Sequence, residues 1–142
     1  MKLKTVALAA GLGLLSAAPA WAHHSFAAQY DSAKPVRLEG VLSKIEWTNP
    51  HSYFYVEVKG KDGKVTSWTC EGANPGALSR RGFKKGDLKL GDALTVDGFL
   101  AKSGAKMIDA RRIILANGRT IFGGTPGDGG PGDTAAPPPG KG

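Results

Sequence analysis

The chain has 142 residues, a net charge of +7 and a single cysteine, Cys70. This length allows one small domain with one modest hydrophobic core, and a lone cysteine excludes a disulfide bond within the chain. The sequence contains no GxSxG motif, no phosphate-binding glycine loop and no paired carboxylates at helical spacing. We therefore expect neither a hydrolase nor a nucleotide-dependent enzyme.

Residues 1–22 have the pattern of a secretory signal peptide. Lys2 and Lys4 precede an apolar segment from Val6 to Leu15, and Ala20-Trp21-Ala22 is a small-x-small cleavage site. The apolar segment is too short to span a bilayer, which needs about 20 residues. We predict export to a bacterial periplasm, cleavage before His23 and no transmembrane segment in the mature chain. Cleavage after Ala20 is the alternative and would make His23 the third residue.

The charge of the mature chain favours anionic partners. Loss of Lys2 and Lys4 with the signal peptide leaves a net charge of +5, so an acidic protein or an anionic membrane surface is a candidate partner. Nucleic acid is not expected, because an exported protein would not meet it. The basic residues cluster after a predicted helix, where a docking patch and an ordinary solvated face are both open interpretations: Arg80, Arg81, Lys84, Lys85 and Lys89.

Alternating apolar residues and turn signals predict a mainly β domain over residues 23–122. One helix is expected from the N-cap Asn74 and Pro75 to Gly82. The predicted strands are Val36–Trp47 with a bend at Gly40, His51–Lys59, Lys64–Glu71, Ala93–Leu100, Lys106–Leu115 and a short Thr120–Phe122.

This element order predicts a small OB-like, five-stranded Greek-key barrel with one short helix between strands 3 and 4. An immunoglobulin-like sandwich is the alternative, but that fold has about seven strands and no helix. Residues 123–142 are rich in glycine and proline, and we predict a disordered tail there.

The histidines suggest a metal site. Cleavage before His23 would leave an amine and an imidazole on one residue, and both groups can chelate a metal ion. His51 follows Asn49-Pro50, in a loop that lies at the binding edge of an OB-like barrel. The amine and ring of His23 with the ring of His51 would supply three nitrogens, a donor set that suits Cu(II). His24 is a candidate assisting ligand.

Two other interpretations of the histidines stay open. Zinc could be held by the three histidines together with Glu71 or Asp31. Alternatively, the paired histidines belong to a frayed terminus and His51 is an exposed turn residue without a ligand.

Aromatic side chains offer a second type of site. Tyr53 and Tyr55, with Trp47 or Trp68, could form a stacking platform of the kind that OB-like barrels use for ligands. Together with Arg80 and Arg81 such a platform would suit an anionic or sugar ligand, although ordinary cross-strand pairing explains the same residues.

Cys70 lies in a predicted strand, where a small buried apolar residue is the simplest interpretation. A thiolate ligand for Cu(I) or a mixed-disulfide site is the alternative, but the chain has no second cysteine to form a CxxC pair.

Several separate motifs carry a family resemblance. They are His23-His24-Ser25-Phe26-Ala27, Leu38-Glu39-Gly40-Val41, Trp47-Thr48-Asn49-Pro50-His51, Glu71-Gly72-Ala73-Asn74-Pro75 and Leu78-Ser79-Arg80-Arg81-Gly82-Phe83. Across residues 23–122 the chain resembles a family of small exported proteobacterial proteins of unknown function. The resemblance implies export and a small β-rich fold, and it implies no activity. Cys70 and the Gly/Pro-rich tail depart from the family pattern.

These features lead to the hypothesis of an exported binding protein that carries or buffers copper. A metal-free module that binds an anionic or sugar ligand or a protein partner is the second hypothesis, and a copper-dependent redox subunit is the third. Catalysis is the least expected of these roles, because no substrate cleft is visible in the sequence.

Overall fold

A computed structural model describes residues 26–132, so the predicted signal peptide, His23, His24 and residues 133–142 lie outside the described part. Two short α-helices and one 3₁₀ helix accompany six strands there. The elements are α1 Phe26–Gln29, β1 Tyr30–Glu46, β2 Ser52–Lys59, β3 Val65–Gly72, α2 Pro75–Arg80, a 3₁₀ helix at Lys85–Asp87, β4 Ala93–Ala101, β5 Met107–Leu115 and β6 Thr120–Phe122. Within residues 26–132, no helix has the length and apolar character needed to cross a membrane.

The six strands form one sheet in the order β3-β2-β1-β4-β5-β6 with antiparallel neighbours. Strand β3 also pairs with β5 in parallel, from Thr69 opposite Met107 to Glu71 opposite Asp109. The mainly β prediction is therefore confirmed, and the strand order and the helix between β3 and β4 agree with the OB-like expectation. A single sheet that returns on itself in this way does not fit a two-sheet sandwich. The sequence did not predict α1 or the 3₁₀ helix.

The core lies on the inner face of the sheet. In β2 the side chains of Ser52, Phe54 and Val56 are buried, whereas Tyr53 and Tyr55 are only partly covered. This alternation is the one expected for a strand with one face on the core. The largest fully buried side chains elsewhere are Phe83, Leu42, Leu78, Ile108 and Ile113.

Helix α2 begins and ends where the sequence predicts. The side chain of Asn74 accepts a hydrogen bond from the Ala77 amide at 2.8 Å, and Pro75 occupies the first turn. Gly82 follows the helix with a φ of 81°, a conformation that glycine adopts without strain. The helix buries Ala77 and Leu78 against the core.

We expected β1 to bend at Gly40. The irregularity lies instead at Ser43, where the side chains of β1 change from one face of the sheet to the other. Leu38 and Leu42 are both buried, so the phase continues through Gly40. The register with β2 shifts between Leu42 and Lys44, which is the signature of a bulge. Gly40 has a different function in packing, because a Cβ there would overlap the carbonyl oxygen of Glu57 on β2.

Residues 123–132, which the composition assigns to a disordered tail, lie against the sheet. We call them the C-terminal strap. The Gly123 amide donates to the Arg111 carbonyl at 2.9 Å, the Ala73 amide donates to the Gly123 carbonyl at 2.7 Å, and the Phe26 amide donates to the Asp128 carbonyl at 2.9 Å. The remainder of the predicted tail, residues 133–142, lies outside the described part.

Replacement of Gly40 by alanine tests the close approach of β1 and β2. We expect Gly40→Ala to lower the free energy of unfolding by about 1–3 kcal/mol, because the new methyl group must displace the β2 backbone. Urea unfolding measures this change. Gly86→Ala is the control, because a Cβ at Gly86 has no atom within 4 Å. Equal stabilities of the two variants would contradict this packing argument.

Candidate functional site

His51 lies just before β2, with its ring held by two neighbours. Its Nδ1 is 3.2 Å from the Thr125 hydroxyl and 3.5 Å from Glu71 Oε1. The side chain is only 17% exposed, so these contacts fix the ring. Because Nδ1 is engaged, Nε2 is the ring nitrogen that could bind a metal ion or another ligand.

Glu71 connects His51 to the start of β1. The Tyr30 hydroxyl donates a hydrogen bond to Glu71 Oε2 at 2.9 Å, while Oε1 faces His51. Burial, followed by the charge of Glu71, raises the pKa of Tyr30, so the hydroxyl keeps its proton and remains a donor. Both carboxylate oxygens of Glu71 are thus engaged. We call His51, Glu71, Tyr30 and Thr125 the His51 cluster.

A second group of charges lies beside this cluster, around Arg111. Its guanidinium forms ion pairs with Asp109 at 2.5 Å and with Asp128 of the strap at 2.8 Å. All three side chains are almost fully buried, and the Phe26 ring lies 4.8 Å from the guanidinium carbon. Two carboxylates therefore share a single guanidinium, and Glu71 is the register partner of Asp109 on the neighbouring strand.

Burial and the neighbouring carboxylates change the protonation of Asp109. Burial raises the pKa of Asp109 to about 7; the charges of Asp128 and Glu71 add to this rise, and Arg111 opposes it. Asp109 therefore changes charge near neutral pH, in direct contact with the residues that hold the strap.

The first described residues lie next to the same charges. The Phe26 ring stacks on Tyr30 with 5.8 Å between centroids, and its amide donates to the carbonyl of Asp128. Asp128 follows Thr125 by three residues in the strap. The strap thus holds Phe26 and His51 on one side of the molecule.

The structure separates the residues of the predicted aromatic platform. Tyr53 and Tyr55 are partly exposed on the outer face of β2, and Lys44 Nζ lies 4.9 Å from the Tyr55 ring. Trp47 instead packs edge-to-face on Phe54 and Phe83 at the core. Trp47 therefore does not extend a stacking surface with the two tyrosines.

The two predicted arginines have different environments. Arg81 Nη1 donates to the carbonyl oxygens of Phe122 and Gly124, at 3.1 Å and 2.6 Å. These bonds help to hold β6 and the strap, so Arg81 has a structural role. Arg80 is exposed at the end of α2.

Cys70 and Asp31 give little support to the alternative metal sites. Cys70 is fully buried, and burial raises the pKa of its thiol to about 12, as expected for a small apolar core residue. Asp31 lies 3.6 Å from Lys34. Among residues 26–132, no group of three His, Cys, Asp or Glu side chains could hold a metal ion.

Sequence reasoning missed several residues of this region: Tyr30, Asp109, Arg111, Thr125 and Asp128. The run Asp109-Ala110-Arg111-Arg112 within an otherwise apolar strand was a signal that one face of β5 is polar. Nothing in the pattern indicated that the partner of this face lies in the glycine-rich strap.

One family model matches residues 12–108, and its description is "Family of unknown function (DUF6152)". No curated protein and no solved structure matches the chain significantly. The matched range includes His23, His51 and Glu71 but ends before Asp109 and the strap. The resemblance to a family of unknown function is thereby confirmed.

The titration of Asp109 predicts a pH-dependent stability. The pKa is about 4 in an unfolded chain and about 7 in the folded protein. Between these values the unfolded state releases a proton that the folded state keeps, so the free energy of unfolding falls as the pH rises. Asp109→Asn cannot ionise. We expect its stability relative to the native protein to increase between pH 5 and pH 8, measured by urea unfolding.

Asp31→Asn is the control for the loss of one carboxylate, since Asp31 is partly exposed on β1. A stability difference between Asp109→Asn and the native protein that stays constant over this pH range would show that Asp109 does not titrate near neutral pH.

Proposed function

Because the chain belongs to the DUF6152 family of unknown function, its role must be inferred from its own side chains, and we propose that it is an exported protein that binds Cu(II). The ligands are the α-amine and ring of His23 and the ring of His51, with His24 assisting. The role is to carry or buffer the ion in the periplasm.

The position of Phe26 is the observation that carries this proposal. His23 precedes Phe26 by only three residues, and an extended chain covers up to about 3.5 Å per residue. Phe26 stacks on Tyr30, which hydrogen-bonds Glu71 beside His51. This chain of contacts supports the proposal, because a Phe26 at the opposite end of the sheet would leave His23 too far from His51 to share an ion with it.

The environment of His51 also suits a metal ligand. Metal-binding histidines usually place their second ring nitrogen on a carboxylate or another polar group, which fixes the ring and makes it a better donor. Glu71 and Thr125 occupy that position at Nδ1, and Tyr30 in turn holds Glu71. Nε2 is then the donor atom toward the ion, and Cu(II) suits a site of nitrogen donors.

Copper binding to the mature protein tests the proposal. The protein should be exported with its own signal peptide, purified without an N-terminal tag, and checked by intact mass for a start at His23. We expect one tightly held Cu(II) with a tetragonal, nitrogen-rich paramagnetic resonance spectrum. His51→Ala should weaken the affinity at least about 100-fold, because one of three nitrogen donors is lost.

Two variants make this test specific. A glycine added before His23 removes the amine from the histidine and should weaken binding to a similar degree. Asp31→Asn, which alters only the alternative zinc ligand, should leave the copper affinity unchanged. Tight Cu(II) binding that His51→Ala does not alter would mean a terminal chelate alone, and a protein that takes up no Cu(II) would refute the proposal.

A variant of Glu71 tests whether this carboxylate positions the ring of His51. Glu71→Gln keeps an acceptor for Tyr30 but removes the negative charge beside Nδ1, so the ring of His51 becomes a weaker donor. We expect about a 10-fold to 100-fold loss of Cu(II) affinity, the range typical of such outer partners. A change in the nitrogen couplings of the resonance spectrum should accompany it. An unchanged affinity and spectrum would show that Glu71 does not support the site.

A further inference from the structure

A cavity of about 620 Å³ lies on the outer face of β1, β4 and β5, beside the strap. This volume falls within the usual range for small-molecule sites, about 300–1,000 Å³. Its lining includes Val36, Phe99, Phe122 and Pro131. None of these residues belongs to the His51 cluster, so the cavity is a separate feature of the surface.

The wall of this cavity is mainly apolar and includes the strap residue Pro131. Phe99 on β4 packs edge-to-face on Phe26 at 5.5 Å between ring centroids. Phe122 on β6 lies against Arg81, 4.8 Å from its guanidinium carbon. These packed rings give the cavity firm walls, and apolar concave surfaces of this size commonly mark interaction sites.

Two exposed arginines, Arg37 and Arg112, stand at the rim of the cavity. Arg112 donates two hydrogen bonds to one Asp97 oxygen, and Arg37 lies 3.4 Å from the other oxygen. Both arginine side chains are more than half exposed, whereas Asp97 is 20% exposed. One carboxylate is thus shared by two guanidinium groups that remain open to solvent.

The other charged groups near the rim are either well exposed or buried in ion pairs of their own. Glu39 lies 3.9 Å from Arg37 but is 75% exposed, so water screens most of its effect. Arg111 also lines the cavity, but its charge is taken up by Asp109 and Asp128. A ligand that enters would therefore meet an apolar interior and a cationic edge formed by Arg37 and Arg112.

We propose that this cavity binds a fatty-acid carboxylate, with the alkyl chain along Phe99, Phe122 and Pro131 and the carboxylate at Arg37 and Arg112. An alkyl chain fills apolar space without requiring hydrogen bonds that these walls do not offer. A guanidinium group has five donors, so Arg37 and Arg112 keep donors for a ligand carboxylate besides those that face Asp97. This inference is independent of copper, because it uses no residue of the proposed metal site.

Calorimetric titration of the full mature protein, freed of metal by chelation, tests the inference. The probes are octanoate, decanoate and dodecanoate below their micelle concentrations, with dodecylammonium as a cation of the same chain length. We expect one dodecanoate per protein and an affinity that rises with length, by up to about fourfold for each added methylene. Dodecylammonium should bind at least about 10-fold more weakly than dodecanoate.

Variants of the two rim arginines test where dodecanoate binds. Arg37→Gln with Arg112→Gln should weaken dodecanoate binding at least about 10-fold, and Arg37→Gln alone should weaken it about threefold if the double variant does not fold. Lys59→Gln with Lys61→Gln removes the same charge from the β2–β3 hairpin and should have no effect. The inference is overturned if dodecanoate does not bind, if the two amphiphiles bind equally, or if the arginine variants retain the native affinity.

Discussion

The buried guanidinium of Arg111 is the interaction on which this structure most depends. It joins Asp109 on its own strand to Asp128 in the strap, with the Phe26 ring against it. Breaking a buried ion pair leaves a charge without a partner and costs several kcal/mol. Both ends of the described chain therefore meet at this one side chain.

Two glycines of the strap, Gly124 and Gly130, follow from this contact. A Cβ at Gly124 or Gly130 would overlap the Arg111 guanidinium group, so the backbone can enclose that group only where side chains are absent. The same strap reaches His51 through Thr125 and Phe26 through Asp128. In the proposed function, the segment that closes over Arg111 also sets the distance between the N-terminal ligands and His51.

Elements that depend on the local sequence were predicted well, whereas the contacts of the strap, which join residues far apart in the chain, were not predicted. The alternation in β2 and the Asn74 cap depend on neighbours in the chain, so these elements could be predicted from the local sequence. The strap depends on Arg111, whose partner in the strap, Asp128, lies 17 residues away, and the glycine content of the strap resembled that of a disordered tail. His51 was identified by its chemistry, whereas Tyr30 and Thr125, which hold Glu71 and the ring, required the tertiary structure.

The central claim is that His51 and the mature N-terminus bind one copper ion together. Anomalous scattering at the copper edge, measured on crystals of the Cu(II)-loaded mature protein, tests it most directly. The account predicts a single strong peak about 2 Å from His51 Nε2 and from the amine and ring nitrogens of His23. Copper bound by the N-terminal residues with His51 turned away from it, or a peak at any other position, would contradict the account.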